Sequence, residues 1–202
     1  MLIKLGILLT SFIYAGILPY VVKQTIQHLN FNTDEQTLSY LSNKNLYGKK
    51  YVTGYKRLLF LTAVLNYIFF WLLSKFYDLG DNERFMRQID YTFAFITLLA
   101  FVPHNIRPYS LKNLTGSIQR LIHNFLAINV FLTLPALIIM FQTAILPTMY
   151  FFGVSGLIIA GIVIIITGVS ILIKGVNGVT EIIFINGISI WSIYATIMTL
   201  IR

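Results

Sequence analysis

Residues 147–173 read PTMYFFGVSGLIIAGIVIIITGVSILI, a run that contains no charged side chain. A helix needs about 20 mostly apolar residues to cross a hydrocarbon core about 30 Å thick. Residues 156–173 do not alternate between polar and apolar side chains, as the strands of a membrane β-barrel do. Because lipid offers no partner to backbone N–H and C=O groups, this stretch is predicted to cross a membrane as an α-helix.

Similar apolar runs recur along the chain and predict five more spanning helices. They cover about residues 2–17, 57–76, 85–103, 117–141 and 181–201. The first is expected to end near Pro19, because proline lacks the N–H that continues a helix. Thr180 is expected to cap the last.

The third predicted helix has the shortest apolar run, from Tyr91 to Val102. To span a membrane it must begin near Phe85, which brings Arg87 and Asp90 to the headgroup boundary. These two residues are three positions apart on one helix face, so they are expected to pair. The alternative is a short re-entrant or interfacial segment, which leaves five crossings.

The composition agrees with a membrane protein. Of the 202 residues, 57% are hydrophobic and 11% are charged, whereas soluble domains carry about 25% charged residues. Residues 1–202 are therefore predicted to form one all-α, polytopic membrane domain. The chain has no cysteine, which excludes disulfides, thiolate catalysis and cysteine-ligated metals.

Residues 19–56 form the longest stretch outside the predicted spans. Val22, Ile26 and Leu29 recur at helical spacing, and Leu38 and Leu41 belong to a second apolar pattern. This amphipathic loop is predicted to contain helices that lie on the membrane surface or cap the bundle.

The basic residues are unevenly distributed. With six spans, ten of the fifteen Lys and Arg residues fall in the first, third and fifth loops or, as Arg57 and Arg120 do, at the span ends next to them. Positive-inside counting then places the long first loop in the cytoplasm and both termini outside, although Lys4 at the start of the first helix favours the opposite orientation. The net charge of +8 is attributed to contact with anionic lipid headgroups and not to nucleic acid.

Five residues are candidates for ligand binding: His123, His104, Arg107, Arg120 and Glu181. Ionisable residues at membrane depth usually face protein or water and often serve function. The two histidines are expected near the same membrane face, and the two arginines could hold a phosphate headgroup through charge-assisted hydrogen bonds. Glu181 begins the sixth predicted helix on the same membrane side as the two histidines and is the only acidic residue expected to lie toward the bundle interior there. The alternative is that these side chains only pack and hydrogen-bond at the interface.

A metal site formed by His28, His104 and His123 is a further alternative. No catalytic residue, metal or cofactor is predicted. The HExxH, GxSxG, P-loop and GxGxxG signatures are all absent from the sequence.

Several short motifs carry a family resemblance. They are Pro19 followed by Gln24-Thr25-Ile26 and Leu29, Gly54 before the second helix, and the series Pro103, Gly116 and His123 leading into the fourth. In these features the chain resembles a prokaryotic six-helix membrane family of unknown function related to the DRAM/Sfk group. The resemblance implies a six-helix fold, a multi-pass location in the bacterial inner membrane and a link to lipid handling.

Three functions remain open at this point. The first is binding of a lipid or another hydrophobic ligand in the helix bundle, with membrane lipids as partners. The second is a structural or accessory role, with a membrane-protein partner or a second copy of the chain. The third is a metal-dependent enzyme that acts on lipid within the membrane.

Overall fold

The computed structural model describes residues 1–106 and 109–202. These residues form six long helices and, within the described ranges, no β-strand. The helices are α1 (Leu2–His28), α2 (Lys44–Phe76), α3 (Glu83–Phe101), α4 (Leu114–Ile145), α5 (Tyr150–Lys174) and α6 (Gly178–Ile201). Short 3₁₀ turns lie at Leu38–Ser42 and Leu111–Asn113.

The six helices form a closed ring in chain order. Each packs against its neighbours in sequence, and α1 closes the ring against α6. The end at which α1, α3 and α5 finish is called the upper end here. Two contacts tie its loops together, because the backbone N of His104 donates to Ser42 Oγ at 2.8 Å and the backbone N of Gly178 donates to Gln36 O at 2.8 Å.

Aromatic side chains fill the centre of the bundle. The rings of Phe70 and Trp191 stack with centroids 5.5 Å apart, and Phe141 lies edge-on to Trp191 at 5.9 Å. The Gln142 amide accepts a hydrogen bond from Trp191 Nε1 at 3.0 Å. A Cβ at Gly156 would lie 2.2 Å from that amide, so only glycine allows α5 to approach α4 this closely.

The first helix continues to His28, where the sequence predicted an end near Pro19. The residues before the proline, Phe12–Ile17, form a π-helical turn in which the N–H of Leu18 bonds to Ile13 O. Proline in an α-helix clashes with the carbonyl four residues earlier. The wider π turn relieves this conflict, so the chain remains helical through Pro19.

Two other helix starts differ from the predictions. The second helix extends further toward the N-terminus than the predicted start near Arg57. A first turn from Lys44 is capped by the Asn43 side chain, which accepts hydrogen bonds from the first backbone N–H groups, and a kink at the non-helical Gly48 (φ 79°) separates this turn from the rest of the helix. The cap of α6 is Asn177 and not Thr180. Thr180 instead completes a capping box, in which its hydroxyl accepts from the backbone N of Asn177 at 3.0 Å.

Helix α3 runs antiparallel between α2 and α4. Its 19 residues extend about 28 Å, close to the thickness of a hydrocarbon core. Arg87 contacts Glu83 at 3.8 Å, one turn earlier, and does not form the predicted pair with Asp90. The other five helices are long and apolar enough to cross a membrane, whereas α3 is not apolar enough to count among them. The sixth crossing therefore stays a prediction.

Candidate functional site

The structure brings His104 and His123 together at the upper end. Their ring centroids are 4.8 Å apart, and His104 also stacks on Tyr40 at 5.2 Å. His123 is buried, with Nδ1 2.7 Å from Val102 O at the end of α3. Burial lowers the pKa of His104 to about 4, and the nearby His123 and Arg120 act in the same direction. His104 is therefore neutral at neutral pH, and its contact with His123 joins the end of α3 to α4.

The predicted arginine pair is only partly described. The guanidinium of Arg120 lies over the ring of Tyr109, 4.8 Å from its centroid. Arg107 lies outside the described residues, so the expectation that it shares a headgroup with Arg120 stays a prediction.

Glu181 is not part of the histidine pair but belongs to a separate site. Its Oε2 accepts a hydrogen bond from the backbone N of Leu38 at 2.5 Å. His28 is also apart, with its ring next to Tyr51. Within residues 1–106 and 109–202, no three His, Cys, Asp or Glu side chains are placed to hold a metal ion. The three-histidine metal hypothesis thus receives no support from the described part of the chain.

Residues 33–38 are bound along the first turn of α6 and are called the latch segment here. The backbone N of Gly178 donates to Gln36 O at 2.8 Å, and that of Val179 donates to Thr33 O at 3.1 Å. Asn177 Nδ2 donates to Asp34 O at 3.0 Å. The first N–H groups of a helix have no partner within the helix. The latch segment supplies partners for two of them, which fixes its position.

A cavity of about 160 Å³ lies beneath the latch segment and is lined by five of the six helices. Its wall is mostly aliphatic and aromatic, with Leu38 and Leu41 contributed by the loop above. The few polar groups include the side chains of Tyr55, Glu181 and Ser189. An apolar cavity of about 150 Å³ stays dry and can hold a molecule the size of benzene. This cavity is therefore suited to the apolar part of a ligand.

A second pocket of about 590 Å³ adjoins the cavity. Four residues line both spaces: Val22, Leu41, Tyr55 and Leu58. The outer pocket also has three cationic side chains, Lys49, Lys50 and Arg57. Sequence reasoning did not identify this pocket, although the basic residues just before the apolar run of α2 were a visible signal.

The comparisons with known proteins provide no relative: no family model matches the chain, and neither a curated protein nor a solved structure is significantly similar to it.

Proposed function

We propose that this chain is a multi-pass protein of the bacterial inner membrane that binds the apolar part of a lipid-like ligand in the cavity beneath the latch segment. The observation that carries the proposal is the cavity itself, an apolar space inside a helical bundle that is bordered by Leu38 and Leu41 of an ordered loop. The proposal keeps lipid binding but moves it from the predicted histidine and arginine cluster to the space beside Glu181.

The membrane location is supported by how apolarity and burial are distributed. Helix α5 is the most apolar of the five candidate spans, yet only 17% of its most apolar window is buried in the bundle. Helix α6 is the least apolar of the five, and 50% of its window is buried. If the chain folded in water, the most apolar helix would be expected to be the most buried one. The pattern is expected when hydrocarbon surrounds the bundle.

Ligand binding is supported by the position of the cavity within the bundle. Large aromatic side chains pack the centre around Trp191. The space near the upper end is instead left open between Tyr14, Leu99 and Phe184. Interiors are normally packed to the density of organic crystals, so an open apolar space next to an ordered loop supports the proposal of a ligand site.

The proposal can be tested with a photoreactive fatty acid whose diazirine lies near the end of its chain. We expect the probe to label cavity-lining peptides of α2 and α6 in the purified protein. Ser189 is buried and lines the cavity, so Ser189→Phe should fill the space and abolish that labelling.

The matched control is Ile165→Phe, which adds an aromatic ring where the native side chain is 66% exposed. Labelling of the cavity peptides should be unchanged in this variant. Both variants should elute as single species in detergent. Undiminished labelling of a well-folded Ser189→Phe variant would contradict the proposal.

A further inference from the structure

We infer that the ligand is an anionic amphiphile whose phosphate or carboxylate head is held in the outer pocket by Lys49, Lys50 and Arg57. This inference rests on the proposed function, because the apolar part of the same molecule would occupy the inner cavity. It adds the charge and chemical class of the head.

The first argument is the continuity of the two spaces. Val22, Leu41, Tyr55 and Leu58 line both the cavity and the outer pocket. The inner wall is almost wholly apolar, whereas the outer wall adds cations and hydroxyl groups. A single molecule with an apolar tail and a polar head matches this change of chemistry along the site.

The second argument is the charge of the outer pocket. Its lining contains three cations and no carboxylate. None of the three has an ion-pair or hydrogen-bond partner among the described residues. The nearest acid in the site, Glu181, lines the inner cavity and bonds to the Leu38 backbone. The outer pocket therefore favours an anion.

The third argument is the arrangement of donors on α2. Lys50 and Arg57 are seven positions apart, so they lie two turns apart on one helix face. Thr53 and Gly54 lie between them in the pocket wall. A Cβ at Gly54 would meet no atom within 4 Å, so this part of the wall is open. Lysine and arginine side chains each form charge-assisted hydrogen bonds to anionic oxygens, so both can serve an anion in this pocket.

The experiment uses the full chain purified in a neutral detergent. Thermal unfolding is measured with phosphatidylglycerol, with phosphatidylcholine that carries the same acyl chains, and with inorganic phosphate. We expect phosphatidylglycerol to raise the midpoint by several degrees and phosphatidylcholine to raise it by less than half as much. Inorganic phosphate should give no comparable shift, because it has no tail to occupy the cavity.

Two double variants then locate the effect. K50Q/R57Q should reduce the phosphatidylglycerol shift to the level of phosphatidylcholine. K112Q/K174Q removes the same charge from the upper end but outside the pocket, and it should keep the full shift.

Three results would overturn the anionic-head inference: equal shifts with the two lipids, equal losses in the two variants, or a full shift with inorganic phosphate alone. Each can occur while the photoreactive fatty acid still labels the cavity. Failure of the head site is therefore distinguishable from failure of the proposed function, in which cavity labelling itself is lost.

Discussion

Glu181 and the backbone of Leu38 are joined by a hydrogen bond of 2.5 Å although they are 143 positions apart in the chain. Glu181 lines the cavity, and Leu38 ends the latch segment that covers it. One side chain therefore both lines the cavity and holds the end of the latch segment.

Replacing Glu181 with Ala should loosen the latch segment. The substitution leaves the buried Leu38 N–H without an acceptor, which costs about 1–3 kcal/mol. We expect a lower thermal midpoint in detergent and faster hydrogen exchange at the Leu38 amide. Glu181→Gln keeps an acceptor oxygen at the same position and should lose less stability. Equal exchange rates in wild type and Glu181→Ala would show that this bond does not hold the loop.

Replacing Gly178 with Ala should displace the latch segment from the first turn of α6. The new Cβ would lie 2.8 Å from Gln36 O and 3.1 Å from Thr33 Cα, and both are backbone atoms that can move only with the loop. We expect a lower thermal midpoint and faster exchange over residues 33–38.

Gly168→Ala is the matched control for Gly178→Ala. A Cβ at Gly168 meets no atom within 4 Å. Alanine in a helix interior is favoured over glycine by about 1 kcal/mol. This control should therefore be neutral or slightly stabilising, and a loss as large as that of Gly178→Ala would argue against a specific steric effect at the latch segment.

The apolar runs predicted the last three helices well. Their ends in the structure lie within four residues of the predicted ones, because an apolar run extends through most of each helix. The first two helices extend further than predicted. The additional turns of the first helix follow Pro19, and the hydrophobic pattern gives no sign of the π turn that accommodates this proline. The additional turns of the second helix are polar, so the end of the apolar run does not mark the end of the helix.

The site was less predictable than the fold. The approach of His104 to His123 followed from their positions at the ends of neighbouring helices. The cavity is a space left between five helices, and no local pattern in the sequence encodes such a space. From the sequence alone, Lys49 and Lys50 are expected to contact lipid headgroups, as are the other basic residues at the ends of apolar runs. The structure places them in a pocket that continues into the cavity.

A lysine introduced at the middle of α5 should show whether hydrocarbon or water surrounds this helix. Ile165 is 66% exposed, so Ile165→Lys would be nearly neutral in water. In a bilayer, lysine at the centre of a span costs about 2.5–3.5 kcal/mol. We expect a marked loss of folded, membrane-extractable protein. Ile173→Lys, near the end of the same helix, should be tolerated because its amine can reach the interface. Equal yields of the two variants would contradict a spanning α5.

The stability of the protein should fall as the pH drops from about 6.5 toward 4, because of His104. Burial lowers the pKa of its ring to about 4 from an ordinary value of 6.5, so the unfolded chain binds a proton in this range while the folded chain does not. Stability then decreases as the pH falls from about 6.5 toward 4. His104→Phe keeps an aromatic ring beside Tyr40 and cannot titrate, so its thermal midpoint should depend less on pH than that of wild type. His28→Phe, remote from this pair, should retain the wild-type dependence. A pH dependence in His104→Phe as steep as in wild type would show that another group is responsible.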